Sequence, residues 1–266
     1  MNKRTSKTIG ILFLLIELAI VPKAIDLMLD LHLSELSPIR MVSLSMTFGS
    51  IALCILMLFS SLSDHDHYPR QTVLFELMVF LCGLLSLTEF FTNSLNLQDR
   101  PHTNMLINTS FYMMSLFASG VILAYEFVII EAKNKPKLRK IKYLALILIA
   151  ADSVAILLNM RLGFIFTINE QGAYQSAPTF WLAYIIPAML VAMTVWVASK
   201  EMEKGRARTA FKYFWVFALI SSVILICDKF IAVEYTGYTL SLVVLYVNVQ
   251  SELDTVCFKN TEGGRS

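Results

Sequence analysis

The side chains in this chain with most chemistry to offer are the ionisable and amide groups set inside long apolar stretches. Holding a charge at mid-bilayer costs about 2.5–3.5 kcal/mol on insertion scales, so each such residue calls for a reason. Asp152 lies in the middle of the apolar run 141–160, with Asn159 two helical turns further on. Glu89 and Asn93 are one turn apart near the end of 72–94, and Asn104 and Asn108 share a helix face around the start of 105–131. Trp181 and Tyr184 open the run 179–199. At one depth, Glu89, Asn93, Asn108, Asp152, Asn159, Trp181 and Tyr184 would form a polar pocket for a small polar or cationic ligand. Interhelical hydrogen bonding and an interfacial aromatic belt are the plainer reading of the amides and rings. Asp152 is the member that reads first as functional, because a mid-span acid is rarely decorative.

Three further acids, Glu76, Glu126 and Glu131, fall toward the opposite ends of their runs, where they are expected to reach the interface or pair with basic loops as anchors. Asp64-His65-Asp66-His67 is the one His/Asp cluster, and alternating ligand types in a loop could hold a divalent metal. A short polar connector that the two flanking spans require is the plainer reading, so no metal or other cofactor is expected. There is no HExxH helix, GxSxG elbow or Walker loop, and no catalytic residue is assigned. Cys54, Cys82, Cys227 and Cys257 show no CxxC or Cys/His spacing and read as small packing residues.

These residues must be positioned by the apolar stretches themselves, over 8–30, 41–62, 72–94, 105–131, 141–160, 179–199, 212–233 and 237–251. Most approach the ~20 residues with which a helix crosses ~30 Å of hydrocarbon. With 56% apolar and 16% charged residues, the chain is not an ordinary soluble domain. Its mean hydropathy of +0.64 agrees. Continuous apolar runs rather than short alternating strands argue for helices and against a barrel. The fold class expected is all-α, a polytopic transmembrane bundle of eight spans, with 1–253 as its single domain and 254–266 as a short tail.

Of the 22 Lys and Arg residues, 17 fall in every second gap between spans, which places those gaps and both termini in the cytoplasm. The basic loops follow from topology and need no nucleic acid. The first span, carrying Glu17, Lys23 and Asp26, reads as an uncleaved signal anchor. Were it to lie on the surface, seven spans and an outer N-terminus would remain. Between the fifth and sixth spans, Phe164, Phe166 and Ile168 alternate with Ile165 and Thr167, and Asn169-Glu170-Gln171-Gly172 supplies a turn. A return through Ala173–Gln175 would make a small hairpin, either a lid or an ordered connector.

The run from Asn159 through Gly163–Tyr174 and Pro178–Pro187, together with Thr239–Gln250, resembles the multi-pass N-terminal input module of bacterial GGDEF-type diguanylate cyclases. The resemblance covers roughly 41–253. It implies a cell-membrane (inner-membrane) sensor whose last helix passes a signal to a cytoplasmic output, with Tyr246, Gln250 and Asp254 along the output path. It also implies a homodimer or a cytoplasmic signalling partner. The residues from Asp254 to Thr261 look like an interrupted start of the cyclase run, and no GGDEF motif, nucleotide site or metal site is present to carry over. The expectation is an orphan or truncated input module, not an enzyme, responding to an unknown small ligand or to the lipid bilayer. A small-solute transporter, for which Asp152 and Pro187 speak, and a membrane partner subunit are the alternatives.

Overall fold

In a computed structural model the described residues are 2–30, 38–66, 68–94, 100–130, 136–227 and 234–263. They form eight helices: α1 (Lys3–Asp30), α2 (Pro38–Ser61), α3 (Pro69–Ser94), α4 (Pro101–Ile129), α5 (Pro136–Leu162), α6 (Leu182–Glu201), α7 (Arg206–Cys227) and α8 (Glu234–Gly263). Two short strands, β1 (Phe166–Ile168) and β2 (Tyr174–Ser176), lie between α5 and α6. Side chains are described outside 1, 27–40, 66–67, 93–99, 131–135, 218, 221–234 and 250–266.

Four helices, α2 to α5, begin on a proline. Proline suits that place, since its φ is already helical and the first turn needs no N–H from it. Six helices, α1 to α6, are long and apolar enough to cross a membrane, and α8 has a shorter apolar stretch over Tyr235–Val249. The protein is therefore a multi-pass helical membrane bundle.

Neighbours in sequence pack together from α2 to α8, while α1 lies along α3, and α8 also meets α2 and α3. The core is split across α4. Ile122 and Tyr125 face a cluster with Cys54, Phe75, Phe211 and Leu245, whereas Leu116, Leu123 and Phe127 face one with Ile156, Phe166 and Leu190. Apolar side chains left exposed fall heavily on α1 (Leu12, Leu15) and α5 (Ile147, Leu157). Such faces suit contact with lipid, where apolar surface meets an equally apolar solvent.

The hairpin forms as its alternation predicts. Phe166 pairs with Ser176, Thr167 with Gln175 and Ile168 with Tyr174, antiparallel. Gly172 takes a φ of +73°, the left-handed conformation that glycine adopts without steric cost. Asn169 closes the turn by accepting the Ala173 N–H on its side-chain oxygen at 2.8 Å.

Candidate functional site

A buried polar cluster gathers where α1, the end of α2, the turn before α3, and α3 meet. Pro69 starts α3 and brings Glu76 two turns along it to face the 3₁₀ turn Asp64–Asp66 that follows α2. His65 Nε2 lies 2.8 Å from Glu76 Oε1. Ser61 Oγ, in the last turn of α2, is 2.9 Å from the same oxygen. On the other side of the ring, His65 Nδ1 is 2.5 Å from Ser6 Oγ of α1, which also donates to the Pro69 carbonyl at 2.7 Å. Ser6, Ser61, His65 and Glu76 are all buried.

Proton counting decides what this array can do. A carbonyl only accepts, so the Ser6 proton points to Pro69 O and Nδ1–H of His65 donates to Ser6 Oγ. One further proton is then shared between Nε2 and Glu76. The order serine–imidazole–carboxylate resembles a nucleophile triad, but here the hydroxyl proton is directed away from the imidazole and Nδ1 is a donor. The array ties the start of α3 to the turn before it through a buried hydrogen bond. Glu76 presses on Gly10 of α1, where an added Cβ would stand 2.5 Å from both carboxylate oxygens.

The same turn reaches α8. Tyr246 Oη donates to Asp64 Oδ2 at 2.9 Å. Its ring stacks on Phe75, with centroids 4.8 Å apart at 23°. Phe75 in turn lies 6.2 Å from the Tyr125 ring of α4. Thus Asp64, beside His65, and Phe75, beside Glu76, both touch one side chain of the last helix.

Glu76 is accordingly no interfacial anchor, because the turn folds back over it and supplies a histidine inside the bundle. Glu126 is not one either. It is fully buried on α4, and neither of its oxygens has a hydrogen-bond partner among the described residues. Glu131 lies outside them. Glu17 is likewise buried without a hydrogen-bond partner among the described residues, packed against Gly83 of α3 at a point where an added Cβ would be 2.2 Å from its Oε1.

The residues expected to line a ligand pocket are brought together only in part. Asn159 is fully buried, and both ends of its amide are committed to the hairpin. Oδ1 accepts from Ile165 N at 2.6 Å and Phe166 N at 3.3 Å, and Nδ2 donates to Phe166 O at 3.1 Å. Asn108 donates to Asn104 Oδ1 at 2.7 Å, and Asn104 to Gly172 O at 2.9 Å. Tyr184 meets the Tyr112 ring edge-on at 6.1 Å. Tyr112 bonds Tyr174 through their hydroxyls at 2.9 Å and stacks on Phe166. Tyr174 is exposed as a residue, but loss of hydration at its hydroxyl, and then the bond to Tyr112, raise that hydroxyl above the ordinary tyrosine range. These groups hold the hairpin onto α4, α5 and α6.

Trp181 is exposed at the start of α6, Glu89 is half-buried on α3, and Asp152 is buried on α5 with Oδ2 lacking a hydrogen-bond partner among the described residues. Asn93, Gln250 and Asp254 lie on α3 and α8 with side chains outside the described set, and His67 and the side chain of Asp66 are likewise outside it. Sequence reasoning missed Ser6, Ser61 and Gly10 altogether. A polar residue one turn from the end of an apolar helix was the available signal for Ser6 and for Ser61. No protein family matches the chain, and neither a curated protein nor a solved structure is detectably similar to it.

Proposed function

We propose that this protein is a membrane signal-transducing module whose eight helices all cross the cell membrane, with both termini in the cytoplasm. In this reading a stimulus, either a small ligand or a change in the bilayer, alters the His65–Glu76 cluster and thereby the position of α8. The observation that carries it is the pair of contacts from Tyr246 to Asp64 and Phe75. It is supported by the length of α8, which runs on as one helix to Gly263, well past its apolar part. Such a helix offers a cytoplasmic partner, or a second copy of the chain, a lever in register with the bundle. The resemblance to diguanylate cyclase input modules points the same way. A signal can move such an equilibrium only through a difference in its affinity for two states.

Hydrogen–deuterium exchange on the whole chain in lipid nanodiscs tests this reading. His65→Gln should speed exchange over 240–263 while leaving the hairpin 164–178 unchanged. Unaltered exchange in α8 would remove the basis for the output path.

Proton-coupled transport of a small solute is the second reading, favoured by the buried carboxyls of Glu17 and Glu126 and by Asp152. It predicts that proteoliposomes dissipate a pH gradient and that Glu126→Gln stops them from doing so.

A further inference from the structure

A crevice of about 1120 Å³ opens between α3, α4 and α5, on the side of Tyr68 and Gln71 away from the bundle core. Its volume is at or above the upper end of ordinary small-molecule sites, ~300–1,000 Å³. Its two ends differ in chemistry. At the mouth stand Arg70, from the first turn of α3, and Arg139 and Lys142, from the first turns of α5. All three are exposed, and among the described residues none has an ion-pair partner and no acid lines the crevice. Further in, the walls are Leu74, Leu123, Phe127 and Leu146. The floor is set by Gly120, so close to α5 that an added Cβ would be 2.6 Å from Ile149 Cδ1.

The depth of the crevice identifies its occupant. Between Arg139 and Ile149 α5 rises about 15 Å, which is half of the ~30 Å hydrocarbon layer. A cationic mouth one leaflet's depth above an apolar floor, on the flank of a membrane bundle, matches one lipid lying in its own leaflet. A free phosphate would leave the apolar walls unused, and an uncharged lipid would gain nothing from the three cations grouped at the mouth. We infer that this crevice is a binding site for one anionic phospholipid, with its phosphate at Arg70, Arg139 and Lys142 and its acyl chain against Leu123, Phe127 and Leu146. Basic pockets between transmembrane helices hold anionic headgroups in this manner. Binding of the lipid does not depend on the signalling role. Even so, Tyr68 and Gln71 also line the small cavity beside Asp64 and Tyr246, so the headgroup would lie next to the α8 contact.

Native mass spectrometry of the full chain in an uncharged detergent provides the test, with dioleoyl phosphatidylglycerol as the probe and dioleoyl phosphatidylcholine for comparison. The wild type should retain one phosphatidylglycerol at concentrations where phosphatidylcholine is lost. R70Q/R139Q/K142Q, three exposed changes with little reason to unfold the chain, should weaken that binding by about a hundredfold. K200Q/K204Q/R206Q, which removes as much charge from another loop, should leave it within about threefold. Equal loss in both triple variants would mean general surface attraction and would overturn the assignment. So would equal retention of the two lipids. A dimer that forms in the wild type and disappears in the crevice variant, without bound lipid, would give the crevice to a second copy of the chain instead.

Discussion

His65 and Glu76 face each other at 2.8 Å with neither side chain open to solvent, a buried hydrogen bond inside a membrane protein. Breaking such a pair from one side leaves the other partner buried and unsatisfied, at a cost of about 1–3 kcal/mol. Replacing both with apolar residues of similar size removes that penalty. We therefore expect His65→Leu and Glu76→Met each to lower the unfolding midpoint of the full chain in detergent strongly, and the double variant to recover much of the loss. Additive losses in this double-mutant cycle would mean that the two side chains are not coupled.

Gly10 and Gly83 both receive a glutamate carboxyl on their bare backbone, but the two glutamates differ in freedom. Glu76 is tied to His65 and Ser61, whereas Glu17 has no hydrogen-bond partner among the described residues. Exchanging glycine for alanine inside a helix favours folding by roughly 1 kcal/mol. At Gly83 the end of the Glu17 side chain can swing aside, so Gly83→Ala should leave thermal stability nearly unchanged. At Gly10 the methyl group must push Glu76 off its partners, and Gly10→Ala should be clearly destabilising. If the two alanine variants melt together, the difference in tethering has no energetic meaning.

Asn159 is the hinge pin of the hairpin. Asn159→Ala would strand two backbone N–H groups and one carbonyl, each costing about 1–3 kcal/mol if it stays buried. The cheaper outcome is for the hairpin to lift away and hydrate, which should expose the Asn169–Gly172 turn to protease. Asn159→Asp keeps the acceptor for Ile165 N and Phe166 N and should be cut more slowly than the alanine variant. Equal resistance of wild type and Asn159→Ala would show that the aromatic contacts of Phe166 and Tyr174 alone hold the hairpin down.

How far the sequence reveals this architecture depends on what periodicity can encode. Long apolar runs placed all eight helices, because lipid leaves a buried backbone no alternative to a helix. Alternation at Phe164–Ile168 followed by Asn-Glu-Gln-Gly was enough to place the hairpin, since both signals are local. Position along a helix was legible too, but rotation and partners were not. Glu76 was correctly assigned to the start of its span and yet misread as an anchor, because the histidine that covers it comes from a turn whose path only the packed structure defines. Asn159 shows the reverse case. It was grouped with the other polar residues, yet its amide serves Ile165 and Phe166, a few residues along the same chain. His65 drew notice as a possible metal ligand beside Asp64 and Asp66, whereas in the structure its ring nitrogens are taken by Ser6 and Glu76.

Tyr174 gives the hairpin a dependence on pH. Although the residue is exposed, its hydroxyl is held above the ordinary value of 10, first by lost hydration at the oxygen and then by the bond to Tyr112. The folded hairpin therefore keeps a proton that the free tyrosine would lose. That contribution is complete below the unfolded value and declines as pH rises beyond it. In an ultraviolet titration, the difference between wild type and Tyr174→Phe should show no tyrosinate until pH is well above 10, and resistance to protease at the turn should fall over the same interval. A tyrosinate signal from Tyr174 appearing at the ordinary value would contradict this account.

Tyr246 separates two of the contacts that tie α8 to the 3₁₀ turn and to α3. Tyr246→Phe removes the hydrogen bond to Asp64 but keeps a ring able to stack on Phe75, whereas Tyr246→Ala removes both. A bond to an ionised acceptor contributes about 1.5–3 kcal/mol, and a stacked pair about 0.5–1.5 kcal/mol beyond its buried area. If α8 responds to the 3₁₀ turn as a unit, the phenylalanine variant should already speed exchange over 240–263, and adding His65→Gln should add little. That result is expected because His65 and Asp64 are adjacent in one turn, and releasing either end of it frees the same contact. Full additivity of the two changes would mean that His65 and Tyr246 stabilise α8 by separate routes, and the turn would then be a structural cap with no part in passing a signal.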